Sequence, residues 1–244
     1  MTKKIILTLV IAWSIITSHQ VFAQMATDST GFNRVVANYY TAIGKQSRLY
    51  NGTEYEFYLP NIKGNAYVFE VNVFKPGSVN YDGIGYDNVP MLYDLNKDAV
   101  IILLYNNFTK MSLISERVSD FSLHGHSFVR INADSLTGTK KVATGFYDQL
   151  YKGKHVQLFA KRAKSIQTTT GTNSLESFFS ETRDYYLKIG NDYISFGGKG
   201  ALLSLLKDRK KELNQFIKAN NIDYRNDPEP SMTAIVKYYD QLNN

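Results

Sequence analysis

Apolar positions change their period twice along the 244 residues. Over "DSTGFNRVVANYYTAIGK", Phe32, Val35, Val36, Tyr39, Tyr40 and Ile43 recur at the spacing of an amphipathic helix that Ser29 or Thr30 can cap, and Gly44 follows the last apolar position. From Tyr55 the texture becomes short runs dense in β-branched and aromatic residues: Tyr55 to Tyr58, Ala66 to Phe74, Val89 to Leu95 and Val100 to Tyr105. Turn signals separate the strand-like segments at Asp82-Gly83, Asn96-Lys97, Asn106-Asn107, Lys152-Gly153 and Gly190-Asn191. Strands joined this tightly pair antiparallel, because a parallel pair needs a crossover of about a dozen residues or more. The polar "IQTTTGTNSLES", Ile166 to Ser177, reads as a long loop.

The helical period returns at Ala201. Leu202, Leu205 and Leu206 form one apolar face, and Leu213, Phe216 and Ile217 form another, with Asp208 as its expected cap and Arg209, Lys210, Lys211 and Lys218 on solvated positions. Asp227-Pro228-Glu229 then opens a last helix carrying Met232, Ile235, Tyr239 and Leu242. The pattern predicts a mainly β, α+β fold. An antiparallel meander over Tyr55 to Phe196 is curled into a sandwich or partial barrel, preceded by one helix and closed by about three. The expected segments are 1–23, a signal peptide; 24–45, the amphipathic helix; 46–197, the β-rich region; and 198–244, a helical cap on the same domain.

The first segment rests on "MTKKIILTLVIAWSIITSHQVFAQ": Lys3 and Lys4, an apolar run from Ile5 to Ile16, and Val21-Phe22-Ala23 as a small-residue cleavage pattern before Gln24. The run falls short of the roughly 20 residues a spanning helix needs. An exported protein, periplasmic or extracellular, is therefore expected, with no transmembrane segment in the mature chain. Zero cysteines exclude disulfides, a thiolate metal site and a lipid-modified amino-terminal cysteine, so a lipoprotein is not expected. Loss of Lys3 and Lys4 takes the formal charge from +6 to +4, too modest for nucleic acid as a partner. Charges spread through the strands and a helical end argue against an outer-membrane barrel.

Catalytic signatures are sparse. The chain has no Gly-x-Ser-x-Gly elbow, no His-Glu-x-x-His and no cysteine nucleophile, and "FGGKGALL" lacks the ending of a phosphate loop and reads as a strand-to-helix turn. In "RVSDFSLHGHSFVRIN", Phe121, Leu123, Val129 and Ile131 share one parity while Asp120, Ser122, His124, His126 and Arg130 share the other, giving a core face and a wet face. His124 and His126, on one expected strand face with Asp120 nearby, have the spacing of two metal ligands, but no third ligand with a recognisable motif accompanies them; no metal and no cofactor are expected. Carboxylate pairs such as Glu54 with Glu56 and Asp82 with Asp87 carry no catalytic assignment, since proximity in sequence fixes no separation in space. With 18 tyrosines, a doublet such as Tyr185-Tyr186 on a strand turns one ring to the core and the other toward water or a partner.

"SRLYNGTEY", "VPMLYDLNKDAVI", "LLKDRKKELNQFIKANNID" and the terminal "YYDQLN" resemble a family of uncharacterised secreted proteins of Bacteroidota across most of the mature chain. The resemblance implies a lineage and an envelope setting and transfers no site residue. The expected function is a non-catalytic envelope protein that binds a protein or polymer partner through its sheet. Two alternatives stand beside it: a carrier of an apolar ligand in a curled sheet, and a glycan or peptide hydrolase whose carboxylates assemble only in three dimensions.

Overall fold

A computed structural model of the chain describes residues 31, 34–35, 48–133, 142–170 and 175–243. The expected signal peptide and, apart from Gly31, Arg34 and Val35, the expected amino-terminal helix lie outside these residues. Among them, twelve strands form one mostly antiparallel sheet. They are β1 (Thr53–Glu54), β2 (Ile62–Lys63), β3 (Lys75–Tyr81), β4 (Ile84–Asp94), β5 (Ala99–Leu103), β6 (Lys110–Ser112), β7 (Val118–Leu123), β8 (His126–Ile131), β9 (Gly145–Lys152), β10 (Val156–Thr170), β11 (Leu175–Ile189) and β12 (Asp192–Phe196).

Each of the five expected turns joins two antiparallel strands, and Asp82 and Gly83 take the positive φ values of 53° and 76° that a two-residue hairpin needs. The sheet is not a simple meander. Its order is β1-β6-β5-β4-β3-β7-β8-β9-β10-β11-β12, so the chain turns back after β6 through a short 3-10 turn, Ser115–Arg117, and lays β7 beside β3. The expected loop at Ile166 to Ser177 is largely strand. Ile166 to Thr170 and Leu175 to Ser177 are paired residues of a long β10–β11 hairpin, because β-branched Ile and Thr favour extended backbone whatever their polarity. β2 adds to β11 in the one parallel pairing among the described strands.

The sheet curls without closing. The Lys164 N–H donates to the Leu95 carbonyl at 3.1 Å, and the Asn96 amide donates to the Lys164 carbonyl at 2.9 Å, so the end of β4 meets β10. Rings fill the inside of the curl: Phe121 and Phe128 stack at 4.7 Å, and Tyr93 stands 5.1 Å edge-on to both. Three helices follow, α1 (Lys199–Leu205), α2 (Lys210–Ala219) and α3 (Pro228–Leu242). Each is too short to persist alone. Leu202, Leu206, Leu213, Ile217, Met232, Ile235 and Val236 are buried against Val156, Leu158, Leu187 and Phe196, each burial contributing about 1.5–3 kcal/mol. Arg209, not Asp208, precedes α2, and the Asp208 carboxylate accepts from the Tyr239 hydroxyl at 3.1 Å.

Candidate functional site

The expected parity around the histidines fails at one point. His124 and Gly125 form a tight turn with φ of 54° and 78°, so β8 restarts with its faces exchanged. Phe121 pairs with Phe128 and Leu123 with His126, which places His126 and Arg130 on the face of Phe121, while Val129 and Ile131 join the opposite cluster of Tyr147, Phe159 and Tyr193. Asp120 belongs to that opposite face and accepts from the Ser119 hydroxyl at 2.6 Å. Asp120, His124 and His126 thus do not converge. No group of three potential His, Cys, Asp or Glu metal ligands occurs among the described residues.

His126 belongs to a charge cluster that has no sequence motif. On β9 and β10 the inward positions are Phe146, Asp148 and Leu150, and Leu158, Ala160, Arg162 and Lys164, so charged residues replace apolar ones in an otherwise apolar pattern. Asp148 is 1% exposed. Its Oδ2 accepts from Arg162 Nε at 3.0 Å, from Arg162 Nη2 at 2.8 Å and from His126 Nδ1 at 2.8 Å, while its buried Oδ1 has no hydrogen-bond partner among the described residues. Arg162 Nη2 also donates to Glu229 on α3 at 2.7 Å, and Glu229 in turn accepts from the Tyr185 hydroxyl at 3.1 Å. Phe69 lids the cluster, 4.4 Å from the His126 ring and 5.1 Å from the guanidinium. Phe69 and Glu70 both hold positive φ, 54° and 58°. Lys164 secures them by donating to the carbonyls of Asn65 and Tyr67, each at 2.9 Å, and to the Glu70 carboxylate.

This cluster ties β8, β9, β10 and α3 together. Two carboxylates do converge, but on a buried guanidinium that occupies the space between them. Burial and the neighbouring Glu229 carboxylate push the Tyr185 phenol up to about 12, so it stays a neutral donor. Neither tyrosine of the doublet forms an open platform: Tyr185 is half-buried against the helices, and Tyr186 packs edge-on to Tyr147 at 5.6 Å on the other face.

An open apolar surface lies elsewhere, where the segment after β1 crosses the outside of β4 and β5. Tyr55, Tyr67, Leu92, Ala99 and Ile101 form a buried cluster there with Tyr58 and Phe74 at its margin. The fully buried Asp94 fixes the segment. Its carboxylate accepts from Tyr55 at 2.7 Å, Tyr58 at 2.9 Å and the backbone N–H groups of Asn96 and Lys97 at 2.8 and 2.9 Å. Burial, with the Asp94 charge and its hydrogen bonds, pushes both phenols well above their ordinary range. The Lys97 ammonium stands over the two rings at 4.5 and 4.9 Å.

With Tyr55 and Tyr58 drawn inward, the intervening Phe57 is left 57% exposed. A groove of about 480 Å³ lies beside it, lined by Phe57, Val73, Phe74 and the buried Tyr67 and Leu92, with Lys110 as its single cation. The Lys110 ammonium sits 4.7 Å from the Phe57 ring centroid and 5.9 Å from that of Phe108, and it pairs with no carboxylate among the described residues. Phe108 is 81% exposed, on a turn made rigid by Asn106, whose Oδ1 accepts from the N–H groups of Phe108 and Thr109 at 3.0 and 2.9 Å. Leu59 and Val73 are exposed in the same region, and a second cleft of about 200 Å³ lies between Phe57, Pro60 and Phe179. In the sequence this surface shows only as the aromatic run Tyr55 to Tyr58, expected as a strand; these residues follow β1 in irregular backbone, which lets Tyr55 and Tyr58 turn inward and Phe57 outward.

No protein-family model, curated protein or solved structure matches this chain.

Proposed function

We propose that the chain is an exported, non-catalytic binding protein that holds an apolar segment of a partner protein on the outer side of β4–β6. The observation that carries this reading is the set of exposed large apolar residues, Phe57, Leu59, Val73 and Phe108, around a groove already shaped by the Asp94 clamp. Exposed side chains of this kind gain nothing in the free protein and become favourable only when a partner covers them. The unpaired Lys110 selects for a carboxylate beside the apolar anchor.

Panning a displayed peptide library against the purified protein tests this directly. Peptides pairing an aromatic or aliphatic anchor with an acidic residue should be enriched, and Phe57→Ser should weaken them at least about tenfold with its melting temperature nearly unchanged. Equal recovery on wild type and Phe57→Ser sinks the reading. The groove volume favours the carrier of an apolar ligand as a second reading, since about 480 Å³ lies within the range of small-molecule sites. Native mass spectrometry separates the two: a co-purifying amphiphile lost from Phe57→Ser supports the carrier.

A further inference from the structure

The β10–β11 hairpin extends past the point where the rest of the sheet supports it. β9 pairs with β10 only over Gln157–Ala160, and the end of β4 takes over at Lys164. Beyond Lys164 no described strand lies on that side of β10, whereas the opposite edge of the hairpin is met by β2 at Ser177 and Phe178. Both backbone groups of Lys164 point away from β11, its N–H to Leu95 and its C=O to Asn96. Strand periodicity of two therefore turns the N–H and C=O of Ile166, Thr168 and Thr170 to the same open side.

Open edges in natural sheets are guarded by lysine, proline, a bulge or extreme shortness. This one has none of these. Ser165-Ile166-Gln167-Thr168-Thr169-Thr170 is uncharged, all six residues are exposed, and its pairing to β11 is unbroken. Other edges of the sheet are short or charged: β1 is two residues long, and β12 begins at the exposed Asp192.

We propose that two copies of the chain pair through this edge, antiparallel and about a two-fold axis at Thr168. In that register Thr168 faces Thr168, Ile166 faces Thr170, and each pair exchanges N–H···O bonds in both directions. The observations favour a second copy over an unrelated strand. Specificity in strand addition comes from side chains paired across the new edge, and this edge strand carries Ser165, Ile166, Gln167 and three threonines, a neutral and largely β-branched set that a second copy complements in the two-fold register. The interface is small, so the dimer forms in proportion to concentration.

Sedimentation equilibrium over a wide concentration range provides the test. Wild type should show a monomer–dimer equilibrium. Thr168→Pro removes an outward N–H without touching the β10–β11 ladder and should be monomeric. The double variant Gln167→Lys, Thr169→Lys sets lysine opposite lysine in the proposed register and should also be monomeric, which guards against misfolding of the proline variant. The chain has no cysteine, so Thr168→Cys should give an oxidised dimer while the exposed control Ser119→Cys does not. A wild-type chain that stays monomeric throughout overturns the proposal. So does a dimer that survives both edge variants, or an edge occupied by an unrelated strand in preference to its own.

Discussion

Single carboxylates decide how the helices meet the sheet. Asp240, near the end of α3, accepts from the backbone N–H groups of Lys154 and His155 at 3.0 and 2.8 Å and from the Tyr151 hydroxyl at 3.1 Å. A Cβ at Gly153 would stand 2.3 Å from Asp240 Oδ2, so only glycine lets the turn approach this closely. Burial raises the Asp240 pKa, but the N–H donors and Tyr151 outweigh it and hold the carboxyl below its ordinary range. A carboxyl lowered on folding contributes stability above its unfolded pKa of about 4 and loses it as pH falls through the folded value. Asp240→Asn should therefore cost about 1–3 kcal/mol in urea titrations at pH 7 and shrink the stability lost between pH 5 and pH 3. An unchanged acid limb would show that the anchor is not electrostatic. Arg162 sets a larger effect, because Arg162→Met strands Asp148 and Glu229 without their shared cation. A loss of about 3–5 kcal/mol is expected in the same titration, and a loss below about 1 would mean that water already solvates the cluster.

At the scale of elements, punctuation was the most legible part of the sequence. The Asp-Gly and Gly-Asn turns and the Asp227-Pro228 helix start stand where composition places them, since each meets a local backbone requirement. His124-Gly125 is not legible as a turn because it is none of the Asn-Gly, Asp-Gly or Gly-Gly pairs that mark a two-residue hairpin, and that one turn inverts the faces of every residue from His126 to Ile131. Thr168 to Thr170 are illegible for the opposite reason: their polarity signals a loop, whereas their β-branching decides the backbone. The hairpin makes a stability prediction. His124→Asn supplies the Asn-Gly pair that such a turn prefers and should stabilise the fold by roughly 0.5–1 kcal/mol at pH 7.5. Burial, together with the nearby Lys75 and His126, lowers the His124 pKa. Its neutral form is thus favoured on folding, and the contribution is present above the unfolded pKa of about 6.5 and lost as pH falls. The gap in melting temperature between pH 7.5 and pH 5.5 should narrow in His124→Asn. A gap as wide as that of wild type would assign the acid sensitivity to another group.

Across the whole molecule, the sequence could not disclose what long-range pairing assembles. β7 lies beside β3 rather than β6, β2 reaches β11, and Asp94 gathers Tyr55 and Tyr58 from almost forty positions away; no local pattern encodes any of these. The groove follows from the last of them. Phe57 faces outward where Tyr55 and Tyr58, on either side of it, are tied to a buried carboxylate, so the proposed recognition surface and the fold share one group. That coupling separates two ways of losing binding. Phe57→Ser removes an exposed ring and should abolish capture of the selected peptides while leaving hydrogen exchange over residues 55–63 as slow as in wild type. Asp94→Ala keeps the ring but leaves the Tyr55 and Tyr58 hydroxyls and the Asn96 and Lys97 N–H groups without their acceptor, at roughly 1–3 kcal/mol for each donor that stays buried. Exchange over 55–63 should then accelerate at least about tenfold and peptide binding should fall with it, although every residue lining the groove is unchanged. If Asp94→Ala bound the peptides as tightly as wild type while exchange rose, the groove would be shaped by its ligand rather than in advance, and the clamp would serve stability alone.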